Sequence, residues 1–438
     1  MVESPLIVHK FGGSCLRDSS DLKKIAMALD TDPIEQNIVV VSALWGTTDR
    51  LIRAAHEPRY AGRLVNDLDL QHQRFSPSIT TSIFSEKYQQ VLIGMEKSLS
   101  NLSVDEHDST AYNNLLAAGE RLSALVVANE LLELGYPAHP VGSEDIGICL
   151  KGSEANIEVD IEITKNALSE EALADLPVVT GWFGRGLDGE LALLSRGGSD
   201  HTAAALAVIL DAERVILWKD VDGLLPLNPR WGIETNPISY IGYGEALEFS
   251  QKDAPILHSG AIEPLIDRGI PLEIRNISTY HHTHFSTIIG PDVYRSSGFK
   301  GITCVPQVSL FQLHYTSGQQ SKIVEFINFI QNNGIITHCL NFHPNELNFV
   351  TNSIHTDFIQ QRIALASIEV KIQRFEGLLS VIGNSNKDEK SNLISTIQTE
   401  NVQHHLTGKH CVDFLICNLD LSNLLQRLQS EFLHIKSS

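Results

Sequence analysis

Short apolar runs mark the first two thirds of the chain, each closed by glycine or charge. Leu6-Ile7-Val8 stops at Lys10 and Gly12-Gly13, and residues 38–41 are an unbroken β-branched run. Such a run is the pattern of a strand covered on both faces. Residues 177–180, 214–218 and 271–274 have the same character. Between these strands the period changes. Residues 112–134 place Leu115, Leu122, Leu125, Val126 and Leu132 on one broad face, which predicts a helix ended by Gly135 and Pro137. Residues 202–211, rich in Ala and Leu, predict another, with Ser199 or Asp200 as its N-cap. Strands alternating with helices predict an α/β fold with a mostly parallel sheet between helical layers. Residues from about 55 to 110 are more polar and helical, and read as an insertion.

After Gly298 the pattern differs. Strands are expected at 308–315, 335–340 and 347–351, with helices at 321–332 and 357–366. A comparable set follows: strand 378–382, helix 393–399, strand 412–417 and helix 421–432. These predict two small α+β modules in tandem, too dissimilar in sequence to be called a repeat.

At 438 residues the chain is long enough for two or three domains. A formal charge of −20 argues against nucleic acid, which needs clustered Lys and Arg. No apolar run approaches the roughly 20 residues that span a bilayer. Met1-Val2-Glu3-Ser4-Pro5 lacks the basic and apolar regions of a signal peptide, so a cytoplasmic location is expected. Six cysteines without a CxxC pair predict reduced, mostly buried thiols. His281-His282, His284 and His404-His405 have no partner at zinc-finger spacing and read as solvated loop residues, so no metal ligand is assigned.

Lys10-Phe11-Gly12-Gly13-Ser14 follows a strand. Glycine lets backbone N–H groups approach phosphate oxygens, and a lysine supplies the cation, although a plain tight turn has the same pattern. Ser42, Thr47, Thr48 and Asp49 follow the strand ending at Val41, where open α/β sheets bind ligands. Glu120 lies in an apolar helix after Ala117-Ala118-Gly119 and suits a substrate ammonium or, equally, a surface position. Ser195-Arg196-Gly197-Gly198-Ser199-Asp200 combines a guanidinium, two glycines and a helix N-terminus, a setting for anions. Trp218-Lys219-Asp220-Val221-Asp222-Gly223 and Asn228-Pro229-Arg230 begin at another strand end. They lack the later ligands of a calcium loop and fit a nucleotide better.

Taken in order, these segments resemble the aspartate kinases of the amino acid kinase superfamily. The resemblance rests on Lys-Phe-Gly-Gly-Ser at 10–14, Val-Val-Val-Ser-Ala at 39–43, Gly-Glu-Arg-Leu-Ser at 119–123, Arg-Gly-Gly-Ser-Asp at 196–200 and Asp-Val-Asp-Gly at 220–223. It covers about the first 295 residues, and the trailing modules look like the family's tandem ACT domains. It implies a catalytic domain over 1–298 and a regulatory or dimerisation region over 299–438. The units of that region lie near 300–375 and 376–438, with interleaving left open. The implied reaction moves the γ-phosphoryl group of ATP, carried with Mg2+, to the β-carboxylate of L-aspartate, at the head of lysine, threonine and methionine synthesis. By resemblance, Lys10 and Asp200 are catalytic, with Asp200 orienting Lys10, and Ser42, Thr48, Glu120, Trp182, Arg196 and Ser199 bind aspartate. Gly12, Gly13, Lys219, Asp220 and Arg230 bind nucleotide, and a homodimer or higher oligomer is implied.

The chain departs from the family at Trp182, commonly Phe, at Lys219, commonly Thr, and at Leu225, commonly Tyr. Pro255 stands where many members carry a phosphate-binding lysine, leaving Lys219 or Lys252 to compensate. The effector loops are also altered, at 314–320 and 383–389, so lysine or threonine feedback is not implied. Two alternatives stay open: another kinase of the superfamily, or a catalytically weak homologue that senses an amino acid or partners an active kinase.

Overall fold

The computed structural model describes residues 5–31, 36–152, 156–195, 197–252, 257–293, 297–397, 402–417 and 422–433. The chain folds into two compact units. The first comprises Met1–Gly152, Ile157–Gly223 and Gly260–Gly290, and the second Ser153–Asn156, Leu224–Ser259 and Pro291–Ser438.

In the first unit the apolar runs become strands β1 (Leu6–Phe11), β2 (Gln36–Val41), β3 (Ala138–Val141), β4 (Leu176–Thr180), β5 (Arg214–Lys219), β6 (Leu272–Asn276) and β7 (Ser286–Gly290). They lie in the order β7-β6-β5-β1-β2-β4-β3. All neighbours are parallel except β6 and β7. The register sets Lys10 opposite Val40 and Leu217, so Lys10, Ser42 and Lys219 lie together at the carboxyl edge of adjacent strands. Crossovers require helices on both faces, which is why β2 is apolar throughout Ile38–Val41 and fully buried there.

Two insertion helices, Pro58–Phe75 and Ser85–Val104, stand where polar helical character was expected. Helix Ser109–Glu133 begins at Asp108, whose side chain accepts from the Ala111 N–H at 2.9 Å. It buries most of its circumference, as a helix sandwiched between other elements must. Leu115, Leu122 and Val126 join Phe11, Val39, Val41 and Trp218 in one core.

The second unit holds a six-stranded antiparallel sheet. Its strands are β8 (Gly298–His314), β9 (His338–His343), β10 (Glu346–Asn352), β11 (Glu369–Asn384), β12 (Val402–Thr407) and β13 (Cys411–Ile416), in the order β9-β10-β8-β11-β13-β12. The two long central strands pair along their length, with Gln307 at φ 51° between the two paired stretches. Each stretch belongs to a separate ferredoxin-like set. Residues 308–314, 338–343, 346–352 and 369–375 form one with helices Gln320–Asn332 and Thr356–Ala366, around Phe311, Phe326 and Phe349. Residues 377–384, 402–407, 411–416 and 298–306 form the other with helices Lys387–Ile397 and Ser422–Phe432, around Leu379, Phe414 and Leu425. The second set thus takes an edge partner from upstream of the first, and the sets interleave.

Some local expectations change. The helix expected over 202–211 is Gly198–Ile209, capped by left-handed Gly197 at φ 82° with no side-chain cap. Ser199 and Asp200 therefore lie inside the first turn, their side chains released for other partners. His404 and His405 sit in β12 rather than in a loop. The cysteines are free, but only Cys15 and Cys411 are fully buried, and Cys417 is exposed.

Candidate active site

Lys10, the fifth residue of β1, ends in a nearly buried ammonium 2.5 Å from Asp200 Oδ1. Lys219, the last residue of β5, donates to Asp200 Oδ2 at 3.1 Å. One buried carboxylate therefore holds two ammonium groups at the N-terminus of helix Gly198–Ile209, whose partial positive charge adds to theirs. Burial alone would favour the neutral acid at Asp200. Lys10 and Lys219 override it and hold the carboxyl far below the usual range. Burial also pulls the Lys10 ammonium below the usual lysine range, against Asp200 and with the help of Lys219. The cluster has one surplus positive charge and a lysine that loses its proton more readily than most.

The backbone leaves room for a ligand beside it. A Cβ on Gly12 would stand 3.3 Å from Lys10 Nζ, and one on Gly13 3.2 Å from the Ala43 carbonyl oxygen. Neither position admits a side chain without crowding the lysine or the loop after β2.

Glu120 is buried on the long helix, where one oxygen accepts from the Ala43 N–H at 3.2 Å. The other, Oε2, has no partner among the described residues. Burial pushes its carboxyl up to about 8, with the Ala43 N–H and Lys10 opposing. Its surface alternative is excluded. Gly119 makes the burial possible, since a Cβ there would lie 3.0 Å from the Ala43 methyl and 3.3 Å from Thr47 Cγ2.

Ser42 is half-buried and donates its N–H to the Phe11 carbonyl at 3.1 Å. Thr48 is half-buried in the first turn of helix Thr47–His56. Its neighbour Thr47, not among the assigned site residues, is fully buried with a hydroxyl lacking a partner among the described residues. Trp182 adopts φ 76° and donates Nε1–H to the Leu194 carbonyl at 2.8 Å. A Cβ on Gly198 would come within 2.6 Å of its Cδ1, so glycine is required for the indole to lie on the helix start. Ser199 is buried against Gly181, where a Cβ would stand 2.5 Å from its own.

Asp220 accepts from Arg17 Nη2 at 2.5 Å, and the Arg17 guanidinium lies 5.4 Å from the Trp45 ring centroid. This pairing joins residues 203 apart in sequence, so no local pattern announces it. Asp222 is tied to Asn276 at 2.7 Å and Thr279 at 2.6 Å. Arg230 sits in the turn Pro229–Trp231 of the second unit. Arg196 and Pro255 lie outside the described residues. Lys252 is committed elsewhere: its buried ammonium meets Asp413 Oδ1 and Glu248 Oε2, each at 2.7 Å. Two carboxylates already neutralise it. No three His, Cys, Asp or Glu among the described residues gather to hold a metal.

A mostly parallel sheet, two glycines after its first strand and a two-lysine cluster at its carboxyl edge are the features that define the fold and its candidate site. The chain belongs to the amino acid kinase family, whose pattern it matches over residues 5–276. Chloroplastic aspartokinase 3 of Arabidopsis thaliana is 29% identical over 301 residues, 64% of this chain and 52% of that protein. Aspartokinase 1 of Bacillus subtilis (strain 168) is 24% identical over 388 residues, 86% of this chain and 85% of that protein. The chain spans about half the length of the chloroplastic aspartokinases it matches. The crystal structure of Escherichia coli aspartokinase III in complex with aspartate and ADP shares the fold, with a TM-score of 0.81 at 21% identity, over 97% of this chain and 99% of that one. No described helix is long and apolar enough to cross a membrane.

Proposed function

We propose that the chain is an aspartate kinase that transfers the γ-phosphoryl group of ATP to the β-carboxylate of L-aspartate, giving 4-phospho-L-aspartate and ADP. The observation behind this reading is the buried Lys10–Asp200–Lys219 cluster, one carboxylate short of neutrality at a helix N-terminus. Anionic phosphates supply the charge it lacks.

The acceptor is itself a carboxylate, so the transfer needs no base. An aspartate oxygen bonds to the γ-phosphorus while the bond to the β,γ-bridging oxygen breaks and its electron pair leaves with ADP. Such chemistry depends on positioning and charge neutralisation. Lys10 and Lys219 serve the phosphates, Gly12 and Gly13 admit them, and Asp200 orients both ammonium groups. Asp200 is a poor base, because two lysines keep its carboxylate ionised. Asp220 and Arg230 are assigned to the nucleotide. Glu120 Oε2 awaits a donor, which fits the aspartate ammonium. Ser42, Thr48, Trp182, Ser199 and Arg196 complete the aspartate pocket, and Thr47 joins them. Magnesium arrives on ATP and neutralises phosphate charge when bound, without a cage of protein ligands.

By the same reading, residues 1–298 form the catalytic domain. Residues 299–438 form an ACT-like region for dimerisation in a cytoplasmic, lysine- and threonine-forming pathway. Purified protein should release ADP only when aspartate is present, with acyl phosphate trapped as the hydroxamate. Absence of both products at millimolar aspartate overturns the reading in favour of a sensing homologue.

A further inference from the structure

A second cavity, of about 570 Å³, opens within the first unit and contains none of the residues assigned above to aspartate or nucleotide. It is within the range of small-molecule sites, roughly 300–1,000 Å³. Its floor is Val141, Gly142 and Thr180, at the carboxyl ends of β3 and β4, and its wall joins the insertion helix Ser85–Val104 to helix Ser109–Glu133. The carboxyl edge of a parallel sheet is where such folds bind ligands. The phosphoryl cluster uses β1 and β5; this cavity uses the two strands at the other end of the sheet.

Its polar groups are sorted by depth. Glu144 lies inside, with only 11% of its side chain exposed. Arg121 sends both Nε–H and Nη2–H to the same oxygen, Oε1, at 3.0 and 2.5 Å. Oε2 is sealed from solvent and has no partner among the described residues. A carboxylate with one oxygen left without a donor keeps acceptor capacity for a bound donor. At the rim stand exposed Lys87 and Lys97, neither in an ion pair with a described carboxylate, together with exposed Asp145 and half-buried Asp108. Val91, Met95 and Leu125 supply an apolar side.

We infer that this cavity is a binding site for a free α-amino acid, separate from the phosphoryl site. The ligand's ammonium pairs with the Glu144 carboxylate, its carboxylate meets Lys87 or Lys97, and its side chain lies on the apolar wall. A purely anionic ligand is disfavoured by Glu144 and Asp145, and a purely cationic one by Lys87 and Lys97. The site stands whether or not the chain phosphorylates aspartate.

Gly94 provides the test. It lines the cavity in mid-helix, with nothing within 4 Å of a Cβ built on it. Gly94→Leu therefore fills the space while favouring the helix. The full chain is titrated calorimetrically with each of the twenty L-amino acids. At least one is expected to bind wild type and Glu120→Gln alike, and to bind Gly94→Leu at least about tenfold more weakly, a 1.4 kcal/mol loss. The surface double variant Lys87→Ala/Lys97→Ala should show the same loss and leave ADP affinity unchanged. The inference is overturned if no amino acid binds wild type, or if every binding event survives Gly94→Leu and the double variant.

Discussion

Each unit of the protein buries a lysine on an aspartate, and the two clusters are left with opposite charge. Lys10 lies 2.5 Å from Asp200 and Lys252 lies 2.7 Å from Asp413. Asp200 must also serve Lys219, so its cluster is one positive charge in surplus. Lys252 must also serve Glu248, so its cluster is one negative charge in surplus, and Cys339 donates a further hydrogen bond to Asp413 Oδ2 at 3.0 Å. The proton affinities follow. Burial lowers the Lys10 ammonium, whereas at Lys252 the surrounding acids overcome burial and raise it well beyond the usual lysine range. A buried cation becomes available to a ligand only where its neighbours leave it under-neutralised. Burial and an ion pair alone do not mark a catalytic lysine.

Substitution at the two lysines should separate these roles. Lys252→Ala strands the buried Asp413, so urea unfolding should show a loss of about 3–5 kcal/mol, the cost of breaking a buried pair. Turnover of the folded fraction should hold. Lys10→Ala should do the reverse, because Asp200 keeps Lys219. Turnover should fall at least about a hundredfold, the scale for a preorganised charge, with little change in melting temperature. A Lys10 variant that unfolds readily while keeping its turnover would erase the distinction.

Lys219→Thr should weaken ATP binding by about 1.5–3 kcal/mol, typical of charged hydrogen bonds. Pro255→Lys in that background should recover part of the loss, seen as coupling in a double-mutant cycle. Simple additivity would mean the two positions do not serve the same phosphates.

Stability and aspartate affinity should both depend on pH through Glu120. Folded Glu120 keeps its proton up to about 8, while the unfolded chain releases it near the ordinary value of 4.5. The folded state therefore holds more protons between these values, and this group's contribution to stability falls as pH rises through that window. Glu120→Gln should gain in melting temperature relative to wild type across that window and level off above it. The wild-type affinity for aspartate should rise through about pH 8, as the carboxylate forms, and the variant should lack that rise.

Much of the site was legible because its elements are local. A strand ending in Lys10 and two glycines, and another ending in Lys219, can be found from runs of apolar residues. The tandem modules were legible for the same reason. What pairs with what was legible only in part. The resemblance already implies that Asp200 orients Lys10, but only the fold adds Lys219 and sets one carboxylate between two lysines on separate strands. Glu120 was ambiguous because its burial depends on Ala43, Leu51 and Thr47 meeting Gly119. Lys252 carried a phosphate-binding reading until Asp413, 161 residues away, was found on it. In the second unit, Val402–Thr407 went unrecognised because its two histidines and a glutamine hide the alternation of an edge strand.

The cation surplus at Asp200 should receive phosphate, and a crystal structure with ADP and aspartate bound would show it. Phosphate oxygens should lie within hydrogen-bond reach of Lys10 or Lys219, with the aspartate ammonium on Glu120 and Lys252 still held by Asp413 and Glu248. Phosphates lying away from both first-unit lysines, or Lys252 swung onto them, would contradict it.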